Sequence, residues 1–161
     1  MITIRAARLD EFHLIWPLLR DVFAAGDTYA VDSAITKTDA LAYWMTQARA
    51  TYVAEGPDGI VGTYYIKTNQ PGGGAHICNC GYIVSPTARG QGLAARLCTH
   101  SQDQARALGY TAMQFNFVLA SNTGALRLWH RLGFHTVGTI PDAFDHPSLG
   151  MVDAHVMYKR L

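Results

Sequence analysis

Apolar residues recur along this chain with two different periods, and the order of the two narrows the fold before any motif is considered. Residues 2 to 5 read as a short edge strand. From Asp10 to Ala25 the apolar positions Phe12, Ile15, Trp16, Leu19, Val22 and Phe23 fall on one stripe of a helix, which Pro17 either kinks or marks as a late first turn, and which Gly26 ends. The stretch Gly26 to Asp32 is polar and aromatic without a period. It precedes a second helix from Thr38 to Met45, capped by Thr36 or Thr38, and a loop so placed is a candidate pocket wall.

The period then becomes two. Residues 51–54 and 60–68 flank Glu55-Gly56-Pro57-Asp58-Gly59, a turn signal that predicts an antiparallel hairpin, and Gln70 to Gly74 breaks the sheet before a further strand over 75–84. Helical and strand segments alternate from there: a helix over 93–108 ended by Gly109, a strand over 111–118, a helix over 123–132 ended by Gly133, and strands over 135–139 and 154–159 separated by an irregular segment over 140–150. The pattern predicts one mixed α/β domain over 1–161, with a central, mostly antiparallel sheet and a strand-helix-strand unit inside it.

Composition excludes several classes. A chain of 161 residues that is 49% hydrophobic and 16% charged is too apolar for disorder and too rich in strand formers for a coiled coil. The formal charge of +1, with no basic run longer than two residues, argues against a nucleic-acid partner and against a membrane surface. Cys78, Cys80 and Cys98 show no paired spacing, which points to reduced, buried thiols and not to a metal site. With Met1-Ile-Thr-Ile-Arg reading as a strand start and not as a secretion signal, the expected location is cytoplasmic.

Chemistry concentrates in Ser85-Pro86-Thr87-Ala88-Arg89-Gly90-Gln91-Gly92-Leu93-Ala94, between a strand and a helix. Glycines at 90 and 92 leave the backbone open, and the free N–H groups and positive end of the following helix attract an anion. This is either a phosphate cradle or a tight turn before a helix. It lacks the Gly-Lys-Ser/Thr of a P-loop and the dinucleotide glycine fingerprint. Two amides also stand out, because Asn79 interrupts Ile77-Cys78-Asn79-Cys80 and Asn116 interrupts Phe115-Asn116-Phe117-Val118. An amide in an apolar strand needs partners, so the two either face one cavity or form a structural pair.

The segment Arg89-Gly90-Gln91-Gly92-Leu93-Ala94 resembles the acetyl-CoA pyrophosphate loop of the GNAT acetyltransferase superfamily, and Asn122-Thr123-Gly124-Ala125-Leu126-Arg127-Leu128-Trp129-His130-Arg131-Leu132-Gly133-Phe134 is similar to its later Asn, Ala, aromatic, Leu-Gly-Phe signature. The resemblance implies a GNAT-like acyl-CoA N-acyltransferase fold, its mixed sheet splayed between the fourth and fifth strands, with acetyl-CoA as cosubstrate. By it, the N–H groups of residues 89 to 94 hold the pyrophosphate: Gly90, Gly92 and Ala94 keep the approach clear, Gln91 and Leu93 complete the loop, and Arg89 adds charge or simply solvates it. Backbone groups near Ile83 and Val84 bond the pantetheine arm. Asn122 serves the cofactor, caps the next helix, or does both. Trp129 takes the position where many relatives carry a tyrosine acid; an indole does not readily supply a proton, so Trp129 packs against core or cofactor. Tyr82, Tyr110 and Tyr158 are the substitutes on offer, and the only glutamates, Glu11 and Glu55, read as surface residues.

Asn79, Asn116 and Asn122, with spacings of 37 and 6, resemble the asparagine set of the GNAT subgroup that acetylates azetidine-2-carboxylate and other proline-like imino acids. This implies that Asn79 and Asn116 orient substrate or acetyl group. Tyr29 and Asp32 are candidate substrate contacts beside a structural tyrosine and a solvated aspartate as the plain alternatives, and His146, in the segment before the last strand, is a candidate base or substrate contact with a pocket-rim or dimer contact as the equal alternative. The expected function is acetyl transfer to the amine of a small metabolite, amino or imino acids first. A peptide or protein amino terminus, or a non-catalytic acyl-CoA-binding module, is the competing reading. A homodimer is expected, since exposed sheet edges pair across subunits.

Overall fold

A computed structural model describes all of residues 1–161. Seven strands form one sheet: β1 (Thr3–Ala6), β2 (Ala50–Gly56), β3 (Gly59–Thr68), β4 (Ile77–Val84), β5 (Ala112–Leu119), β6 (His135–His146) and β7 (Gly150–Arg160), in the spatial order β1-β2-β3-β4-β5-β7-β6. Every neighbouring pair is antiparallel except β4 and β5, which run parallel through the crossover helix α3 (Leu93–Ala107). The expected α/β architecture, with its mixed sheet and edge strand β1, is therefore present.

Each face of the sheet is covered by the helical stripe that the sequence provides. Phe12, Ile15, Leu19 and Phe23 of α1 (Phe12–Ala25) are buried with Trp44, Val53, Tyr65 and Ile83 on one face. Burial of each such side chain contributes roughly 2 kcal/mol. Pro17 lies inside α1 on its exposed side, where the carbonyl it leaves unbonded can reach water. On the other face Leu93, Leu97, Cys98 and Ala105 of α3 pack on Tyr64, Ile66, Cys80, Met113, Phe115 and Met157. All three cysteines are buried and unpaired. The second helix, α2 (Lys37–Leu41), is capped by Thr36, whose hydroxyl accepts from the Asp39 amide at 3.1 Å, and it continues into a π-helical turn over Ala42–Thr46.

Three expectations need correction. Residues 140–150 are not an irregular segment: β6 and β7 form a long hairpin whose tip lies at Pro147 to Leu149. Its register slips between Thr136 and Gly138 and again between Ile140 and Phe144, and Asp142 adopts φ 46°, so the alternation that marks a strand is lost from the sequence. Glu11 is not a surface residue; it is 3% exposed and accepts from the Arg5 guanidinium at 2.9 Å. Asn116, whose place in an apolar strand predicts burial and hence a need for partners, is exposed.

Candidate active site

Strands β4 and β5 pair only at Ile77↔Ala112 and Cys78↔Met113, and then part. A cleft of about 1080 Å³ opens between and beside them, walled by the α1–α2 loop and by α4 (Thr123–Arg131). The direction of the β4 main chain follows from its neighbours. The Ser85 amide donates to the Val61 carbonyl, and the Ile77 carbonyl accepts from Asn69, so the odd-numbered residues of β4 spend their main-chain groups on β3. Those of Cys80, Tyr82 and Val84 face the gap. Of the two residues expected to bond the pantetheine arm, Val84 thus presents open backbone groups and Ile83 does not; Ile83 lines the cleft with a buried side chain. Tyr82, which the sequence offers only as a substitute acid, presents its amide to the gap as well; the parity depends on a pairing register that sequence periodicity leaves undetermined.

At the far end of β4 the chain turns sharply into α3. Gly90 and Gly92 have φ of 74° and 73°, a left-handed conformation that a side chain resists, and an added Cβ at either would meet nothing within 4 Å. The amides of Gly90, Gln91 and Gly92 donate to no protein acceptor; that of Arg89, expected among the open donors, is spent on the Pro86 carbonyl at 3.4 Å, and the next bonded amide is that of Arg96, to the Gly92 carbonyl at 3.1 Å. A row of unbonded N–H groups at the start of a fifteen-residue helix suits a pyrophosphate. Arg89, Gly90 and Ala94 line the cleft; Leu93 is buried in the core, and Gln91 turns back to the Thr87 carbonyl at 3.3 Å. Asn122 caps α4, its Oδ1 accepting from the Ala125 amide at 3.3 Å, and it also lines the cleft.

The two strand amides each bond Gln114 near the apex of the gap. Asn79 Nδ2 donates to the Gln114 carbonyl at 2.9 Å, and Asn79 Oδ1 accepts from the Tyr65 hydroxyl at 3.2 Å. Asn116 Oδ1 accepts from Gln114 Nε2 at 3.0 Å, and its Nδ2 donates to Asn69 Oδ1 at 2.7 Å. Both asparagines line the cleft. Against β7, strand β5 carries one extra residue between Phe115 and Val118, a bulge that re-aims the side chains around Asn116. Tyr65 reaches Asn79 because residue 81 is glycine: a Cβ there would stand 2.7 Å from the Tyr65 ring. Sequence reading missed Tyr65 and its neighbour Tyr43, whose hydroxyls lie 3.4 Å apart.

The remaining expected residues divide. Tyr29 lines the cleft, but its hydroxyl donates to the Tyr82 carbonyl at 2.8 Å, and burial pushes its pKa far up. Asp32 instead accepts from the Ala34 amide at 2.9 Å, and His146 Nδ1 accepts from the turn amides of Ser148 and Leu149 at the hairpin tip; neither lines the cleft. Trp129 lines the cleft and also packs on Phe115 and Tyr82, with centroids 5.0 and 5.2 Å away. The Tyr82 hydroxyl is committed to Ser101 Oγ at 2.7 Å, and burial raises its pKa strongly, so it holds its proton inside the core. Asp21 and Asp27, which periodicity could not single out, supply the acidic groups of the cleft.

Residues 12–134 match the model of the acetyltransferase (GNAT) family. A GCN5-related N-acetyltransferase from Kribbella flavida is 39% identical, with a TM-score of 0.93 over 99% of this chain and 98% of that one. The N-acetyltransferase aca1 of Schizosaccharomyces pombe is 33% identical over 134 residues, which are 73% of this chain and 64% of that protein, so the match spans less than two thirds of the relative. A phosphinothricin acetyltransferase from Sinorhizobium meliloti, solved in complex with acetyl-CoA, shares the fold at 18% identity, with a TM-score of 0.87 over 99% of this chain and 88% of that one. The chain belongs to the GNAT family of acetyl-CoA-dependent acetyltransferases.

Proposed function

We propose that the enzyme acetylates the amine of a small metabolite, an amino or imino acid before others. The observation that carries this reading is the pair Asn79 and Asn116, brought from two diverging strands into one cleft and linked through Gln114. Bound acetyl-CoA supplies the acetyl thioester. The residues fit it: the open amides of residues 90–92 receive phosphate oxygens, and Arg89 adds positive charge beside them. The gap-facing amides of Tyr82 and Val84 are placed to polarise a carbonyl, in a site where fixed donors act more strongly than water.

Acetyl transfer further needs a neutral amine held against the carbonyl carbon. Asn79 and Asn116 each keep hydrogen-bonding capacity beyond the partners named, which suits them to orient that amine. Trp129 closes the wall without offering a proton. Asp21 and Asp27 are the ionisable acids of the cleft that can receive one through water.

Amine-dependent release of thiol from acetyl-CoA across a panel of amino acids, imino acids, simple amines and peptides tests the reading. Release confined to peptides would overturn it. A homodimer through the β6 edge belongs to the same proposal, supported by exposed Val137 and Ile140 and by Met151 beside the hairpin tip. Sedimentation of a concentration-independent monomer would remove it.

A further inference from the structure

Lys67 stands apart from the other lysines. Lys37 is exposed at the start of α2, and Lys159 Nζ donates to Gln102 Oε1 at 2.7 Å and to the Leu132 carbonyl at 2.8 Å. Lys67 Nζ instead sits in the angle between two rings, 3.7 Å from the centroid of Tyr43 and 4.4 Å from that of Tyr65. It is half-buried, and no carboxylate lies within ion-pair distance of it.

Aromatic faces hold a cation but leave its N–H groups without acceptors. The two rings line the cleft, and Lys67 lies opposite Asn79 in the β3–β4 register, on the same face of the sheet as Tyr65 and Asn79. Lys67 itself is not in the lining; the one cation that is, Arg89, belongs to the glycine loop at the opposite end of the cleft, and the acidic groups in the lining, Asp21 and Asp27, would repel an anion. An acceptor with a carboxylate one carbon from its amine therefore finds its counter-charge only beside Tyr43 and Tyr65.

We infer that Lys67 receives the carboxylate of the acceptor, so that the substrate class is α-amino or α-imino acids and not simple amines. This rests on the reading of the cleft as a site of amine acetylation. Lys67 is a specificity residue: Asn79 and Asn116 orient the amine, and the ammonium fixes the other end of a short, rigid molecule. The four-carbon stem lets Nζ leave the ring faces for a carboxylate without moving the sheet.

The test uses L-azetidine-2-carboxylate and its carboxamide, which differ in charge and little in shape, titrated calorimetrically into protein saturated with CoA so that no turnover occurs. Wild type is expected to bind the acid about tenfold or more tighter than the amide, as a partly desolvated ion pair allows. Lys67→Gln should lose that preference and Lys67→Arg should keep most of it. In transfer assays Lys67→Gln should raise KM for the acid by about the same factor while kcat falls far less. Equal binding of acid and amide by wild type, binding of neither, or a preference that survives in Lys67→Gln would overturn the inference. A lysine that merely props the two rings would change the unfolding temperature of Lys67→Gln and leave the ratio of acid to amide untouched. Thiol release decides the underlying reading separately: transfer to amines with and without a carboxylate alike sinks the role of Lys67 alone, whereas no transfer to any amine sinks the acetylation reading itself.

Discussion

Asn79 donates its side-chain amide to the main-chain carbonyl of Gln114 at 2.9 Å, one position beyond the last backbone pair between their strands, Cys78↔Met113. A side chain takes over where the ladder stops. It thereby closes the apex of the gap, beyond which β4 has no strand partner on its β5 side.

Removing that closure should cost stability as well as activity. Asn79→Ala leaves the Gln114 carbonyl and the Tyr65 hydroxyl without their partner, a loss of about 1–3 kcal/mol for part-buried groups. Denaturant titration should show this as a lower midpoint, accompanied by slower acetyl transfer. An unchanged midpoint would mean that the apex is held by the strands alone.

Gly92→Asp isolates the glycine loop. The position needs φ near 73°, so any side chain costs about 1 kcal/mol in strain. No atom of the protein obstructs a Cβ there, and the fold should survive. The carboxylate, however, would face the proposed site of the phosphates, and acetyl-CoA affinity should fall by about a hundredfold, the size of a coupling near 2.7 kcal/mol. Calorimetric titration of the folded variant checks it, and retained affinity would remove this loop from the cofactor site.

Asn116 should behave differently from Asn79. It is exposed, and its partners Asn69 and Gln114 are side chains that water can satisfy, so Asn116→Ala should change unfolding stability by only about 0.5 kcal/mol. Loss of an oriented contact to the reacting groups should lower turnover by roughly a hundredfold. Steady-state transfer measured beside thermal unfolding separates the two effects. Near-normal turnover at saturating acceptor would contradict a positioning role.

Acceptor binding should also depend on pH through Lys67. Burial holds its pKa down to about 8, and the titratable groups against it are the phenols of Tyr43 and Tyr65, the latter pushed far upward by burial. A lowered pKa on a cationic group means that the charge is present below about pH 8 and lost as pH rises through that value. KM for a carboxylate acceptor should therefore climb above pH 8 in wild type and climb less in Lys67→Arg, whose guanidinium stays charged. Parallel profiles for the two proteins would show that only the acceptor amine is titrating.

How much of this was legible in the chain depends on whether the signal was local. The glycine loop, the Asn122 cap and the burial stripe of α1 each lie within a few consecutive residues, where backbone geometry and helical period leave a direct mark. Asn79 and Asn116 were visible as amides out of place in apolar strands. The Tyr43, Tyr65 and Lys67 cluster was not, since it is assembled by a π-helical turn, a strand and the bare backbone of Gly81 from the adjoining strand. The burial of Glu11 escaped notice because its partner, Arg5, lies across a strand end and reads by itself as a surface charge. The long β6–β7 hairpin hid behind bulges and two prolines on an exposed edge, where no hydrophobic alternation is required.

On the proposed function, the gap between β4 and β5 seats the acetyl-bearing arm of acetyl-CoA. Amide hydrogen exchange, resolved by residue with and without acetyl-CoA, tests it most directly. The Tyr82 and Val84 amides, which face the gap, and those of Gly90 to Gly92 should become protected when the cofactor binds. The Ile83 amide, already bonded to β3, should change little. Saturating acetyl-CoA that leaves Tyr82, Val84 and the glycine-loop amides exchanging as before would contradict the account.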